Sequence, residues 1–232
     1  MSSMSHSDLL NLIDSGQVST DEGNIISNGK LISNESDQAV DCELHKGLDI
    51  VKARLCDITW GTFNVALMQF IDQQKYTTEE HNKVLNQIQI DDGHWSWFKK
   101  SILLRSDEYV WFFLMAEKYP QGVCLIYHPK PSAFDLGDIF YIEFLAVAPW
   151  NRKNPMRPKK FKGVGTMLIH SAITYAIDVL KLKPGFSLHS LPKAVGYYAD
   201  LGMKPFPSKD KDGLPYFEMP KEVTEKMIGR AQ

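Results

Sequence analysis

A mixed α+β or α/β sheet domain is the fold class this sequence predicts, and three observations predict it. Helical apolar spacing dominates from residue 59 to about residue 90. Short apolar and aromatic runs then follow one another closely, each too short for a buried helix. A long amphipathic stretch that opens on two glycines separates these runs from further short ones. Helices first, then hairpin, strand, helix, strand, helix, strand is the order of a sheet flanked by helices.

Residues 1–40 are rich in Ser, Asn, Asp and Gly. The apolar patch Leu9-Leu10-Asn11-Leu12-Ile13 suffices for one helical turn or two, and Ser27-Asn28-Gly29-Lys30 reads as turn and linker. So little apolar surface does not offset ordering entropy, so 1–40 is expected to be a polar, flexible segment before a single domain at 41–232. Residues 48–56 fit a strand or a helix. From 59 to 90 the pattern is helical, with Phe63, Leu67, Phe70 and Ile71 at helical spacing. Thr77-Thr78-Glu79-Glu80 supplies an N-cap and early acids for a second helix, whose buried stripe is Val84, Leu85 and Ile88. Asp91-Asp92-Gly93 is a turn.

Strands are expected at Tyr109–Ala116, 122–127 and 139–148, with Tyr119-Pro120-Gln121-Gly122 closing a hairpin between the first two. The long helix runs over 163–182 on a stripe of Val164, Leu168, Ala172, Tyr175 and Val179, and Lys183-Pro184-Gly185 stops it. A short strand at 186–188, a helix at 192–201 ended by Gly202, and a last strand at 214–219 after Lys211-Asp212-Gly213 complete the reading.

Composition narrows the function classes. The 232 residues fit one domain with an appendage or two small ones, and 44% hydrophobic with 23% charged residues supports an ordinary core. A formal charge of −2 predicts no global attraction to nucleic acid or acidic lipid. No apolar run approaches the ~20 residues of a membrane span, and the polar, acidic start has no secretory pattern. Cys42, Cys56 and Cys124, an odd number at wide spacing, make neither a disulfide framework nor a zinc pattern, and point to a reducing cytoplasm. No metal is expected.

The chemistry is concentrated in Tyr141-Ile-Glu-Phe-Leu-Ala-Val-Ala-Pro149 and Lys160-Phe-Lys-Gly-Val-Gly-Thr166: a strand, a loop, and a glycine-rich entry into a helix. The first amides of a helix have no partner inside it, and its dipole favours negative charge there. Gly163 and Gly165 let a phosphate approach the backbone, and Thr166 can add a hydroxyl. A P-loop would need Lys before Ser or Thr after the final glycine, and a dinucleotide site three glycines and a downstream acid. Neither is present, so a pyrophosphate-bearing cofactor of another kind is indicated.

On these residues the sequence resembles the GNAT superfamily of acyl-CoA N-acyltransferases. That family's pyrophosphate motif is Gln or Arg, two residues, Gly, one residue, Gly or Ala; Lys160, Gly163 and Gly165 match, with Lys at the first place. Leu145-Ala146-Val147 followed by Pro149 is similar to its preceding strand, and Ala194, Tyr197, Tyr198, Leu201, Gly202 and Met203 to a segment downstream. The loop 150–159 is longer than the family's, and Leu191 stands where Asn is common. The resemblance covers about half the chain, 109–219.

The resemblance implies a GNAT-like fold with a central mixed, mostly antiparallel sheet flanked by helices. It implies acetyl-CoA (acyl-CoA) as co-substrate and direct transfer of the acyl group to a primary amine. Leu145, Ala146 and Val147 would pair with the pantetheine arm. Lys160, Phe161, Lys162, Gly163, Val164, Gly165 and Thr166 would hold the pyrophosphate, with Ser190 a further cofactor contact. The amide of Val147 or its neighbour would stabilise the oxyanion, and Tyr198 would protonate the leaving thiolate. Glu143 is the candidate base, because strand parity places it on the face of Leu145 and Val147.

Plainer roles compete with these. Glu143 in an apolar strand could be half of a structural ion pair, and Tyr198 a core aromatic. Arg152 and Lys153 read as a solvated loop, and the basic run 152–162 alternatively as a cofactor-phosphate or nucleic-acid contact. Trp95 and Trp97 read as core, or as the lining of an acceptor pocket built from 59–98 and loops near 135–138. His94, His128 and His189 carry no pattern singly, and the place of His189-Ser190, at a strand end facing the long helix, leaves a site role open for His189. The acceptor is open between an amine-bearing small molecule, a protein amine and an aminoacylated tRNA, the one nucleic acid kept as a partner. No membrane partner is expected, and a homodimer is compatible. The alternative is a non-catalytic acyl-CoA-binding or interaction module with the same fold.

Overall fold

The structure, a computed structural model, describes residues 5–19, 24–135 and 137–229. In chain order the helices are α1 (His6–Asp14), α2 (Ile50–Gln73), α3 (Thr78–Gln87), α4 (Trp97–Leu103), α5 (Val164–Asp178), α6 (Val195–Asp200) and α7 (Lys221–Met227). The strands are β1 (Ile25–Ser33), β2 (Ala39–Lys46), β3 (Tyr109–Ala116), β4 (Tyr119–Pro131), β5 (Asp138–Val147), β6 (Phe161–Lys162), β7 (Phe186–His189), β8 (Lys204–Pro205) and β9 (Tyr216–Glu218). They form one sheet in the order β6-β1-β2-β3-β4-β5-β7-β9-β8. Every pairing is antiparallel except β5 with β7. The fold is therefore mixed α+β, a mostly antiparallel sheet flanked by helices.

Two apolar layers hold the sheet. On one face α5 packs Val164, Leu168, Ile169, Ala172, Ile173 and Ala176 against Phe112, Leu114, Cys124 and Ile142. On the other, Ala53, Cys56 and Trp60 of α2 and Trp97 of α4 meet Trp111, Phe113, Leu125 and Ala146. Gly122 on β4 sets how close α5 lies: a Cβ there would stand 2.7 Å from a Leu168 methyl and 3.1 Å from the Ala146 carbonyl. The three cysteines are buried free thiols.

The strands and the long helix follow the sequence reading closely, and Thr77 and Glu80 form the expected capping box. Val84 and Leu85 are only partly buried; Ile88, just past α3, is buried. Residues 48–56 resolve as the start of α2, capped by the Asp49 carboxylate on the Val51 and Lys52 amides. Helix α5 ends at Asp178, four residues early, where the chain turns with Lys181 at φ 58°.

The main departure lies in 1–40. The β1–β2 hairpin runs across the expected boundary at residue 41. Strand β1 buries only Leu31 fully, so its composition reads as linker although its backbone is paired on both sides. Short α4, β6, β8 and α7 are likewise unanticipated. Among the described residues no helix is long and apolar enough to cross a membrane.

Candidate active site

The entry to α5 is an open anion cradle. Gly163 takes the N-cap position at φ 76°, a conformation L side chains rarely adopt, and no side chain among the described residues caps the helix. The first amide of this turn bonded within the helix is that of Met167, to the Gly163 carbonyl at 2.9 Å. The amides of Val164, Gly165 and Thr166 thus point out unpaired by the helix. A cleft of about 420 Å³ lies against them, lined by Leu145, Ala146 and Val147 of β5 and by Phe161, Lys162, Gly163, Val164, Gly165 and Thr166. Two predicted contacts fall outside it. The Lys160 ammonium pairs with the Glu117 carboxylate. Ser190 is fully buried, its hydroxyl donating to the Leu191 carbonyl at 2.9 Å. Lys159 of the basic run lines the cleft, as does Lys193, which was not singled out in the sequence.

Beside the cradle the sheet splits. Strand β7 pairs with β5 only at Phe140, Tyr141 and Ile142, so β5 from Glu143 to Val147 has no strand on that side. The Ala148 amide bonds Gln121 on the β4 side at 2.8 Å. Main-chain direction alternates along a strand, which turns the polar groups of Val147 and Leu145 to the open side. The Val147 carbonyl is already engaged there by Arg152 Nε at 2.8 Å.

Arg152 is not the solvated loop residue that composition suggests. Its guanidinium grips both Asp92 carboxylate oxygens at 2.5 Å and bonds the Gln89 carbonyl at 2.9 Å, with the two side chains 10% and 11% exposed. The long loop is pinned further by Asn151, whose carbonyl oxygen accepts from the Phe161 amide at 3.0 Å while its amide donates to Gln121. These anchors deliver 161–162 to the edge of β1 and place the cradle. Arg152→Ala leaves the Asp92 carboxylate buried without its partner. It is expected to cost about 3 kcal/mol of stability, read as a lowered denaturation midpoint; an unchanged midpoint would show the clamp to be idle.

Glu143 and Tyr198 line one recess of about 240 Å³ together with Trp95, Tyr141, Phe144, Leu145, His189 and Leu191. Leu145, Leu191 and Ala194 border both this recess and the cleft at the α5 entry, so the two meet at the split. The parity argument for Glu143 needs correction. Opposite β4, Leu125 faces Phe144 and Ile126 faces Ile142, leaving Glu143 as the extra residue of a β-bulge. Phe140, Ile142, Leu145 and Val147 pack on the α5 side, whereas Phe144 and Ala146 pack on the α2–α4 side. The shift of parity turns Glu143 toward α4, where Lys100 and Tyr109 feel its charge. It lines the recess beside the open edge of β5 and not the cleft at the α5 entry.

The site electrostatics follow from burial. Desolvation raises the Glu143 carboxyl above the ordinary range, against the pull of Lys100, Lys211, Lys130 and His189. Burial also raises the Tyr198 phenol, with Tyr197 and Cys124 adding to it, so it stays protonated at neutral pH. The Tyr198 hydroxyl has no hydrogen-bond partner among the described residues. Tyr141 Oη lies 2.7 Å from His189 Nδ1, and His189 Nε2 lies 2.9 Å from the Lys209 carbonyl. A carbonyl only accepts, so Nε2 carries a proton. A third cavity, about 230 Å³, is walled by Trp60, Trp95 and Trp97 with Asp57, Asn64, Asp92 and Arg152. Leu136, in the loop expected near the acceptor, lies outside the described residues. Among the described residues no cluster of three or more His, Cys, Asp or Glu could hold a metal ion.

No family model and no curated protein matches the chain. Similar solved structures include several N-acetyltransferases of the GNAT type. An uncharacterized protein from Bacillus halodurans is 9% identical at a TM-score of 0.50, over 89% of this chain and 96% of that one. A putative acetyltransferase of the GNAT family from Desulfovibrio desulfuricans is 13% identical, TM-score 0.43, over 78% and 99%. The Campylobacter jejuni N-acetyltransferase PseH in complex with acetyl coenzyme A is 15% identical, TM-score 0.37, over 63% and 94%. At such identities the likeness concerns the fold.

Proposed function

We propose that this chain is an N-acetyltransferase that moves an acetyl group from acetyl-CoA directly to a primary amine. The observation that carries this reading is the unpaired stretch of β5 running beside an uncapped, glycine-entered helix. A diphosphate fits the amides of Val164, Gly165 and Thr166, with Lys159 and Lys162 at the rim. A pantetheine arm is itself a chain of amides and can complete the open edge of β5 as an added strand. The Val147 amide is the donor for the oxyanion, since its carbonyl already belongs to Arg152.

The thioester then lies where the cleft and the recess meet. The attacking amine must shed a proton, and Glu143 takes it directly or through water. As the C–N bond forms and the C–S bond breaks, Tyr198 gives its proton to the thiolate. The acceptor would occupy the recess of Glu143, with the tryptophan-walled cavity next to it for its body. Within the basic run 152–162, Arg152 and Lys160 are turned to carboxylates, which leaves less of that run for a nucleic acid.

The test is a crystal grown with acetyl-CoA, coupled to a thiol-release assay over a panel of primary amines. Density for the cofactor along β5 with amine-dependent thiol release is the expected result. Cofactor bound there without release for any amine leaves a non-catalytic acyl-CoA-binding module, and an empty cleft removes both.

A further inference from the structure

The residue most at odds with its surroundings outside the motifs is Lys100. It lies on α4, the short helix that packs against the α2–α4 face of the sheet. Its ammonium sits 3.3 Å from the centre of the Phe144 ring and 5.1 Å from that of Trp95, two rings that meet edge to face at 4.8 Å. Phe144 is the residue next to Glu143, and the bulge turns both toward α4. Among the described residues neither the Lys100 ammonium nor the Glu143 carboxylate has a hydrogen bond or an ion pair within 4 Å. Each half-buried charge feels the other.

We propose that Lys100 is a positioning residue: clamped by Trp95 and Phe144, its ammonium is the counter-charge that keeps the Glu143 carboxylate ionised inside the recess. The inference rests on the reading of Glu143 as the base. Burial alone would favour the neutral acid, which cannot accept a proton from an amine. Other groups face Glu143 as well: Lys130 and Tyr127 from β4, Tyr109 from β3, Tyr141 from its own strand, His189 from β7 and Lys211 from the β8–β9 link. The tyrosines are neutral acids and give no positive charge. Lys211 is exposed and screened by salt, and Lys130 sits 5.6 Å over the Tyr141 ring. His189 is engaged at both ring nitrogens, by the Tyr141 hydroxyl and the Lys209 carbonyl. Lys100 is the cation among them that is held by rings on two sides. Its own ammonium is pushed down to about 8 by desolvation, and Glu143 and Asp57 pull the other way. It is therefore charged through neutral pH and loses its proton only where the carboxylate no longer needs help.

The experiment is the pH profile of kcat/KM for wild type, K100M, K100R and E143Q. One amine is used throughout, so that its own titration is common to all, and acetyl-CoA affinity is checked by calorimetry. Removing the cation raises the Glu143 carboxyl further, so the acid limb of K100M moves to higher pH. Its rate falls several-fold on the acid side and converges with wild type at alkaline pH. K100R keeps a cation over the rings and restores the wild-type limb. An unmoved limb in K100M, or one moved as far by K100R, overturns the role of Lys100. E143Q separates the two layers: a wild-type rate and limb in E143Q overturns the base itself, and an inactive E143Q beside an unmoved K100M limb overturns Lys100 alone.

Discussion

Gly165→Arg is expected to weaken acetyl-CoA binding by on the order of 100-fold or more, about 2.7 kcal/mol. Gly165 lies in the first turn of α5 with an ordinary helical backbone, so the substitution brings no conformational strain. A Cβ at this position would meet only a Val147 methyl, at 3.6 Å. The fold therefore tolerates the change, and the rest of the arginine side chain extends into the cleft that the diphosphate needs. Its charge favours an anion but its bulk covers the amides of Val164, Gly165 and Thr166, and with the phosphate held at a distance those bonds cannot form. Gly165→Ala should bind nearly as wild type, because 3.6 Å is ordinary van der Waals contact. Calorimetric titration distinguishes the two. Equal affinity in the arginine variant would mean that the cofactor lies elsewhere.

Tyr198→Phe is expected to lower kcat by roughly 100-fold while acetyl-CoA affinity stays within a factor of about two. The phenol is buried and kept protonated, and no neighbour among the described residues takes up its hydroxyl. Loss of that oxygen consequently leaves no partner unsatisfied in the free enzyme, and the thermal midpoint should barely move. The deficit appears only when a thiolate departs. If turnover matches wild type, the ring is simply part of the packing around Cys124 and Met203.

Much of the fold was legible in the chain. The Gly163–Gly165 pair is informative because a bare helix start needs little beyond local sequence: an αL glycine, a second small residue and a hydrophobic stripe behind it. Most of the residues expected around the cofactor do line one cleft. The face of Glu143 was not legible, because a bulge is a mismatch between two strands, and β5 alone cannot display what β4 leaves unmatched. Lys160 and Arg152 illustrate the same limit. Both sit in a basic run that reads as one surface, yet their partners, Glu117 and Asp92, come from distant parts of the chain. Strand β1 escaped because a polar edge hairpin earns its place through backbone pairing, which composition does not record.

The guanidinium of Arg152 with its Asp92 partner borders the cleft at the α5 entry and also the chamber of Trp60, Trp95 and Trp97. A partition common to two rooms cannot shift for one occupant without reshaping the other. Donor and acceptor affinities in this protein should accordingly be linked, each ligand altering the dissociation of the second by the same factor, and loss of the Arg152 side chain should uncouple them.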